Sequence, residues 1–352
     1  MNRKILKAAL IFLSSVLTIF FCFSFVISSL SKNFALYDDA AELAMMLSFS
    51  NGSISPPEDM SETTEETPDP SKKTVPQAPT EKATETKKTV HSGTAYPVVE
   101  KSEWTSNLSF ENIEIENTTD HTVDAEKILK SDLPFEIEDN RRVQVLIYHT
   151  HTCESYLSED SGVYYDDFYP RSTDARQSVC AVGEAIVKEL KSRGIGAVHD
   201  TTLHDYPSYD GSYDRSYATV QSYLEKYPQI KVTIDIHRDA MTASDNTKYK
   251  PTCIYNDKKA AQIMIMTGRD TDSSDFPFWE ENLIFALKLQ KKCEDMYEGF
   301  TRPLYFGDFT YNMNVNNGSL LIEVGTDGNT LDEAIRSGQM LGNALAAVLQ
   351  NP

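Results

Sequence analysis

Two histidines and a glutamate follow directly after an apolar run near the middle of the chain. Residues 143–148 read VQVLIY, and His149, His151 and Glu154 come immediately after them. A β-branched run of this kind predicts a buried strand of a parallel sheet. Ligands of open α/β sheets collect at the carboxyl ends of the strands, so these side chains stand where a site is expected.

Two further predicted strands carry residues of the same kind. The run KVTIDI, residues 231–236, is followed by His237, and the run SLLIEV, residues 319–324, contains Glu323. A carboxylate inside an apolar strand is costly unless it has a partner. A catalytic zinc ion uses histidine and carboxylate ligands, an open position for water, and a glutamate that accepts the proton of that water. The three strands therefore predict a zinc hydrolase site.

Some residues near the strand ends are expected to support the site without binding the metal. We expect His149 and His151 to point in opposite directions at the strand terminus, so that only one faces the ion. Arg238 and Asp239, which follow the second strand end, are interpreted as supporting residues in the same way. Glu323 could instead form a buried, purely structural ion pair with Arg238.

The cysteines and the remaining histidines give no metal motif. Of five cysteines, Cys22 lies in an apolar N-terminal run, and the others are scattered without CxxC spacing: Cys153, Cys180, Cys253 and Cys293. Cys153 is close to His151, but a base two residues away rarely points at a nucleophile, so we interpret Cys153 as a small loop residue. The polar surroundings of three histidines predict that they are solvated: His91, His199 and His204.

Strands and helices alternate from residue 142 to the C terminus. Apolar residues at helical spacing predict helices near residues 179–190, 213–224, 279–297 and 331–349, and shorter strands near 195–198 and 261–267. The prediction is a single doubly wound α/β domain over residues 142–352, with a mostly parallel twisted sheet flanked by helices.

The N-terminal segment predicts a membrane anchor. Residues 8–30 contain no charged residue, which matches the roughly 20 residues that cross a bilayer. Arg3, Lys4 and Lys7 precede this run and predict a cytoplasmic N terminus with the rest of the chain outside. We therefore expect a single-pass membrane protein anchored by residues 1–33. A cleaved signal peptide is the alternative, although its apolar core is usually only about 7–15 residues.

Three segments separate the anchor from the predicted domain. Helical spacing in residues 34–50 predicts a juxtamembrane helix. Residues 51–100 are rich in Pro, Thr, Glu and Lys and predict a disordered linker that lets the domain reach the surrounding wall. Residues 101–141 alternate apolar and acidic positions and predict a leading hairpin or a partner-binding segment.

The charge of the chain excludes one class of partner. The formal net charge is −20, whereas nucleic acid binding needs a basic surface. Loops rich in Tyr and Asp, residues 160–169 and 206–217, are instead suited to stacking on sugars and bonding to peptides, although they could equally be solvated turns.

Three runs together resemble a known family. The sequences LIYHTHTCESY, DIHRDA and LLIEVGTDGNTLDEA closely resemble the stage II sporulation protein P family of membrane-anchored cell-wall hydrolases, which is similar to zinc-dependent N-acetylmuramoyl-L-alanine amidases. The resemblance covers residues 143–349 and fits the anchor and linker before them. It implies that His151 and His237 bind Zn²⁺ and that Glu323 is the catalytic glutamate.

The third zinc ligand departs from the pattern of the wider amidase family. Those enzymes carry a zinc-binding glutamate at the start of the helix after the first strand, where this chain has the residues Ala, Arg and Gln at 175–177. Glu154 is the nearest replacement and is our predicted third ligand. Asp174 is an alternative, and Glu184 lies too deep in the helix.

The resemblance implies cleavage of the amide between N-acetylmuramic acid and L-alanine in peptidoglycan, during septal wall thinning and engulfment in sporulation. It also implies cleavage of peptide cross-links as a further activity, and stage II sporulation protein D and other engulfment proteins as partners. Two alternatives stay open. One is a catalytically incomplete protein of the same fold that binds peptidoglycan or joins a complex, and the other is a metal-dependent deacetylase acting on the same wall.

Overall fold

A computed structural model describes residues 91–138, 141–271 and 275–350. Within these ranges the strands are β1 Ala95–Lys101, β2 Leu108–Phe110, β3 Ile113–Asn117, β4 Val143–Tyr148, β5 Val163–Tyr165, β6 Gly196–His199, β7 Val232–Asp239, β8 Lys248–Tyr255, β9 Lys258–Ala261, β10 Ile263–Gly268, β11 Leu304–Gly307 and β12 Ser319–Thr326. The helices are α1 Ala125–Leu129, α2 Val179–Ser192, α3 Ser212–Lys226, α4 Trp279–Met296 and α5 Leu331–Gln350.

The predicted anchor, the juxtamembrane helix and most of the predicted linker lie outside the described residues. None of the helices within the described ranges combines the length and the apolar composition that a bilayer crossing requires.

The main sheet is mixed, with most of its strands parallel. Its eight strands follow the order β2-β3-β11-β10-β12-β7-β4-β6. Five of the seven neighbouring pairs are parallel, and the β2–β3 and β10–β12 pairs are antiparallel. The predicted α/β class is confirmed. A parallel sheet throughout is not observed, because a short segment with the 3₁₀ turn Met313–Val315 replaces a crossover helix between β11 and β12.

Both faces of the main sheet are covered. Alternate residues of β4 lie on opposite faces, as the period of a strand requires. Val145 and Ile147 pack in the large core formed with α2, α4 and α5. Leu146 and Tyr148 pack against Val220 of α3 on the other face. The run VQVLIY is therefore apolar on two sides because helices cover both.

A second, four-stranded sheet was not predicted from the sequence. Its order is β5-β1-β8-β9. β1 pairs antiparallel with β5 and parallel with β8, so residues 95–100, which were assigned to the linker, belong to this sheet. The predicted boundary at residue 100 is wrong because β1 finds its partners far along the chain, where a local composition argument does not reach.

The predicted leading segment is part of the same folded unit. The β2–β3 hairpin joins the main sheet through β11, and Ile113 and Ile115 are fully buried. α1 is capped by Asp124, whose side chain accepts a hydrogen bond from the Lys127 backbone. The described residues from 91 onwards belong to one compact unit, so the domain begins well before the predicted start at Arg142.

β12 lies between β10 and β7 and is buried along its whole length. Its regular pairing with β7 is interrupted between Glu323 and Thr326, where Gly325 adopts a left-handed φ of 65°. A side chain at Gly325 would meet Asn329 Oδ1 at 2.7 Å. Glycine therefore permits the bulge that bends the strand directly after Glu323.

Candidate metal centre and active site

His151 lies in a buried aromatic pocket just beyond β4. The chain leaves the strand after Tyr148 and turns through residues 150–153. The His151 ring stacks on Tyr209 at a centroid distance of 4.5 Å, and the Tyr209 hydroxyl lies 2.9 Å from His151 Nε2. The edge of the ring faces His237, with centroids 5.1 Å apart and planes at 90°. The two predicted zinc histidines are thus neighbours.

His237 is buried between two carboxylates. Its Nδ1 lies 3.7 Å from Glu154 Oε2 and its Nε2 lies 3.0 Å from Asp235 Oδ1, the latter outside hydrogen-bond geometry. Burial lowers the pKa of His237, but the negative charge of Asp235, with those of Glu154 and Glu323, outweighs burial and raises the pKa to about 10. The imidazole therefore lies in a strongly negative environment that favours a cation.

Glu154 is held in place by the backbone of β7. Its Oε2 accepts a hydrogen bond of 3.0 Å from the Arg238 N–H, and the residue is 3% exposed. Burial raises the pKa of Glu154, although the charges of His237 and Arg238 oppose that rise. Its carboxylate is therefore fixed beside His237, where the predicted third ligand should lie.

Glu323 stands beside His237 in the pairing of β12 with β7. Its Oε2 is buried without a hydrogen-bond partner. Burial raises the pKa of Glu323 to about 8; His237 lowers it, and the negative charges of Asp239 and Glu154 add to the rise. An unpaired buried carboxylate with a raised pKa is typical of functional sites.

Arg238 and Asp239 do not enter the cluster. Arg238 donates to the carbonyl oxygens of Ser155 at 2.9 Å and Pro170 at 2.7 Å. The alternative ion pair between Arg238 and Glu323 is therefore not formed. Asp239 Oδ2 accepts a bond of 2.8 Å from Arg302. Both residues fasten the loops around the cluster.

His149 lies in a separate cluster. Its Nδ1 is 2.8 Å from the Ile236 carbonyl and its Nε2 is 2.8 Å from His199 Nε2. The two neighbouring histidines do have different surroundings, but the expected reason was wrong. Residues two apart share one face of a regular strand, and the turn after Tyr148 is what separates His149 from His151.

Two groups of potential metal ligands differ in how near their ligand atoms lie to one another. Among the described residues, only His149, Cys180 and His199 bring three potential ligand atoms within 4.8 Å of one another. The set His151, His237 and Glu154 does not meet that distance. His151 Nε2 is in addition in contact with the Tyr209 hydroxyl at 2.9 Å.

The alternative third ligands lie elsewhere. Asp174 forms an ion pair with Arg176 at the surface, with 2.7 Å between Oδ2 and the guanidinium. The Glu184 side chain is 72% exposed and lies beside His199. Glu154 is therefore the predicted carboxylate that approaches His237.

Sequence reasoning missed several residues of the site. Asp235 is a charged residue inside a β-branched run, a signal that was readable in KVTIDI. Tyr209 lies in the loop before α3 and Tyr213 in the first turn of α3, and both contact His151. Nothing in the sequence around them predicted that contact. Two histidines interpreted as solvated are in fact enclosed: His199 contacts His149, and His204 donates from Nδ1 to the His149 carbonyl at 2.7 Å.

Cys153 is buried, and burial together with Asp205 raises the pKa of its thiol to about 12. A thiol with so high a pKa is a poor nucleophile at neutral pH. This agrees with its interpretation as a loop residue.

The chemistry of the cluster fits a zinc ion. Two histidines and a carboxylate are a common catalytic zinc set. Glu323 Oε2 is buried without a hydrogen-bond partner, as expected of a polar atom that awaits a ligand or a proton. Asp235 lies where an outer carboxylate orients a metal-binding imidazole.

The fold and this cluster define a mixed α/β protein with a candidate metal centre at the carboxyl ends of its parallel strands. The sequence of the protein identifies its family. The family model of stage II sporulation protein P (SpoIIP) matches residues 27–346, and the chain belongs to this family of sporulation proteins.

A curated relative supports the same assignment. Stage II sporulation protein P of Bacillus subtilis (strain 168) is 30% identical over 235 residues, which cover 64% of this chain and 54% of the relative. The chain thus matches about half the length of that relative.

Solved structures of N-acetylmuramoyl-L-alanine amidases show a distant likeness. The catalytic domain of CwlV from Bacillus (Paenibacillus) polymyxa var. colistinus is 15% identical, with 60% of this chain and 100% of that chain covered and a TM-score of 0.37. The CwlD amidase from Clostridioides difficile, in complex with the GerS lipoprotein, is 12% identical, with 59% and 96% covered and a TM-score of 0.37. The family assignment rests on the sequence comparisons.

Proposed function

We propose that this protein is a zinc-dependent peptidoglycan hydrolase that cleaves the amide between N-acetylmuramic acid and L-alanine of the stem peptide. One observation carries the proposal. His237 lies in contact with His151 and between Glu154 and the register partner Glu323, in a buried cluster at the carboxyl ends of parallel strands.

The proposed zinc ligands are His151, His237 and Glu154. Asp235 would hold the His237 ring from the far side, and the Arg238 N–H would orient Glu154. Ligation through His151 Nε2 would require the Tyr209 hydroxyl to release that atom, whereas Nδ1 has only a contact of 3.4 Å to Ser212 Oγ. When bound, the ion would polarise the amide carbonyl and acidify a water molecule.

Glu323 is the proposed general base and acid. Its carboxylate would accept the proton of the attacking water at Oε2 and return it to the amine of L-alanine as the amide bond breaks. The positive charge of an added ion would lower the pKa of Glu323 from its raised value, so the carboxylate would be ionised near neutral pH.

Exposed tyrosines in two loops are suited to hold the glycan and peptide. Tyr169 is 73% exposed and Tyr206 is 57% exposed, in the two loops interpreted as carbohydrate contacts. Aromatic rings of this kind combine an apolar face with a hydroxyl group. They would orient the substrate while the buried cluster performs the chemistry.

The membrane anchor, the action at the septal wall during engulfment, the cleavage of cross-links and the partnership with stage II sporulation protein D are parts of the same proposal. They rest on the sequence pattern and on the resemblance to the family.

A catalytically incomplete wall-binding protein is the second candidate. The observation that favours it is the contact of Tyr209 with His151, because the three proposed ligand atoms do not converge. In this reading the cluster is a buried polar network that fixes the ends of β4 and β7.

Purified full-length chain in detergent, incubated with peptidoglycan, separates these functions. An amidase releases L-alanine amino termini and intact glycan, a deacetylase releases acetate, and a wall-binding protein releases neither. The activity should disappear in His237→Ala and after metal chelation. Peptidoglycan binding without any product, in the presence of Zn²⁺, would favour the second candidate.

A further inference from the structure

We propose that His149, Cys180 and His199 form a second metal site that is separate from the proposed catalytic centre and takes a zinc ion or a similar borderline-soft divalent ion. The three side chains come from the end of β4, the first turn of α2 and the end of β6. Their ligand atoms lie within 4.8 Å of one another.

The outer partner of His149 fixes which of its nitrogens carries the proton. His149 Nδ1 is 2.8 Å from the Ile236 carbonyl, which can only accept, so Nδ1 is the donor. His149 therefore presents a lone pair at Nε2. On the outer side of the other ring, His199 Nδ1 makes a longer contact of 3.4 Å to the exposed Glu184 Oε2.

The inner nitrogens of the two imidazoles face each other. The two Nε2 atoms are 2.8 Å apart, and with its proton on Nδ1 the His149 ring has only an acceptor at Nε2. Without a metal ion a proton on His199 Nε2 fills this contact, and a bound ion would replace that proton and take both lone pairs. Metal-binding histidines show this same pattern, with the outer N–H given to a carbonyl or a carboxylate.

Cys180 supplies a third ligand of the type that zinc prefers. It is 2% exposed, and its Sγ makes a long contact of 3.9 Å to the Thr152 carbonyl. Two imidazoles and one thiolate would provide three of the four ligands of a tetrahedral zinc ion. Sulfur also selects borderline and soft ions over calcium or magnesium.

Gly183 leaves the room that these ligands need. A side chain there would lie 2.5 Å from His199 Nε2 and 2.8 Å from His149 Nε2. Glycine is much less favourable than alanine inside a helix, so its place in α2 calls for a local reason. Tetrahedral ligation needs about 3.3 Å between the two nitrogens, and the open face at Gly183 permits that small separation.

A metal ion at this site would link β4, α2 and β6. One of its ligands, His149, lies two residues before His151. It differs from the proposed catalytic centre in one chemical respect, because it contains sulfur and the other does not. Cobalt(II) reports this difference, since thiolate ligation gives a sulfur-to-cobalt charge-transfer band in the near ultraviolet that histidine and carboxylate ligands cannot give.

The test adds Co²⁺ to the metal-free full-length chain in detergent under reducing conditions. We expect the charge-transfer band in the wild-type chain, its loss in Cys180→Ser, and its displacement by Zn²⁺. The matched thiol control Cys253→Ser should keep the band, and so should His237→Ala, which removes a ligand of the other centre. The bound metal should fall from about two to about one equivalent in Cys180→Ser.

Gly183→Ala provides a second variant that changes no ligand. Its added methyl group should crowd both Nε2 atoms and weaken the band, even if Cys180→Ser fails to fold. Absence of the band in the wild-type chain, or a band that survives Cys180→Ser, overturns the proposal. The band is independent of turnover, so failure of the second site and failure of the proposed hydrolase are distinguishable.

Discussion

His149 and His151 lie two residues apart beyond β4 and contact two different histidines, His199 and His237 respectively. The turn after Tyr148 therefore divides neighbouring imidazoles between two buried clusters. The cluster of His151 and His237 contains carboxylates, including that of Glu323. The cluster of His149 and His199 contains a thiol. The predictions below separate the roles of the two clusters.

Glu323→Gln should retain zinc and peptidoglycan binding but lose turnover by about 10²–10⁴-fold, because the amide keeps the size of the side chain and removes its basicity. Zinc content and the release of L-alanine amino termini measure the two effects. Glu298→Gln, at an exposed glutamate, is the matched control and should be fully active. Loss of zinc would make Glu323 a ligand, with Glu154 free to act as base. Near-normal activity of Glu323→Gln would rule out the proposed mechanism, because Glu323 would then not be the proton acceptor.

His151→Ala and His237→Ala should each lose the zinc of the catalytic centre, whereas His149→Ala should keep it. Metal analysis in a Cys180→Ser background counts this centre alone, since the proposed second site is then removed. The physical reason is the turn that faces only His151 towards His237. If His151→Ala retained this zinc and His149→Ala lost it, His149 and not His151 would be the ligand.

Zinc uptake should release protons and should strengthen as the pH rises from 7 towards 10. Without metal, neighbouring carboxylates raise the pKa of His237 to about 10 despite burial, and burial raises the pKa of Glu323 to about 8. Both groups therefore hold a proton at pH 7, and zinc ligation requires a neutral imidazole.

Calorimetric titration of the Cys180→Ser chain with zinc, in buffers of different ionisation enthalpy, counts the released protons. Glu323→Gln in the same background should release fewer of them. A zinc affinity that does not change between pH 7 and 9 would contradict the charged state assigned to His237.

Ile115→Ala should lower the free energy of unfolding by about 2–5 kcal/mol, because the side chain is fully buried where β3 pairs with β11. Ile254→Ala is the matched control: that isoleucine is 65% exposed, and the change should cost less than about 1 kcal/mol. Denaturant titration of the full-length chain in detergent compares the two. Equal effects would mean that residues 101–141 are not an integral part of the domain.

The strands that carry the candidate site were readable from the sequence. β4, β7 and β12 are largely apolar runs that contain several β-branched residues, and a run that is apolar on two faces predicts a central strand without knowledge of its partners. The nearness of His151, His237, Glu154 and Glu323 followed from the common edge of those strands.

Other features depend on contacts that no local pattern reveals. β1 pairs with β8 about half the domain away, so its residues resembled the end of a linker. The reversed direction of β12 relative to β10 depends on a missing crossover helix. The His149, Cys180 and His199 cluster joins single residues of three elements, and none of them stands in a recognisable spacing.

The position of β12 sets the time at which the site can form. It is the last described strand in sequence, yet it lies between β10 and β7 in the middle of the main sheet. Ribosomes add about 5–20 residues per second, so β7 waits several seconds for this neighbour during synthesis. Until residue 326 has emerged, His237 lacks Glu323 beside it and the edge of β7 is open. A nascent chain therefore lacks the complete centre, and the proposed activity would begin only after synthesis has passed the strand that completes it.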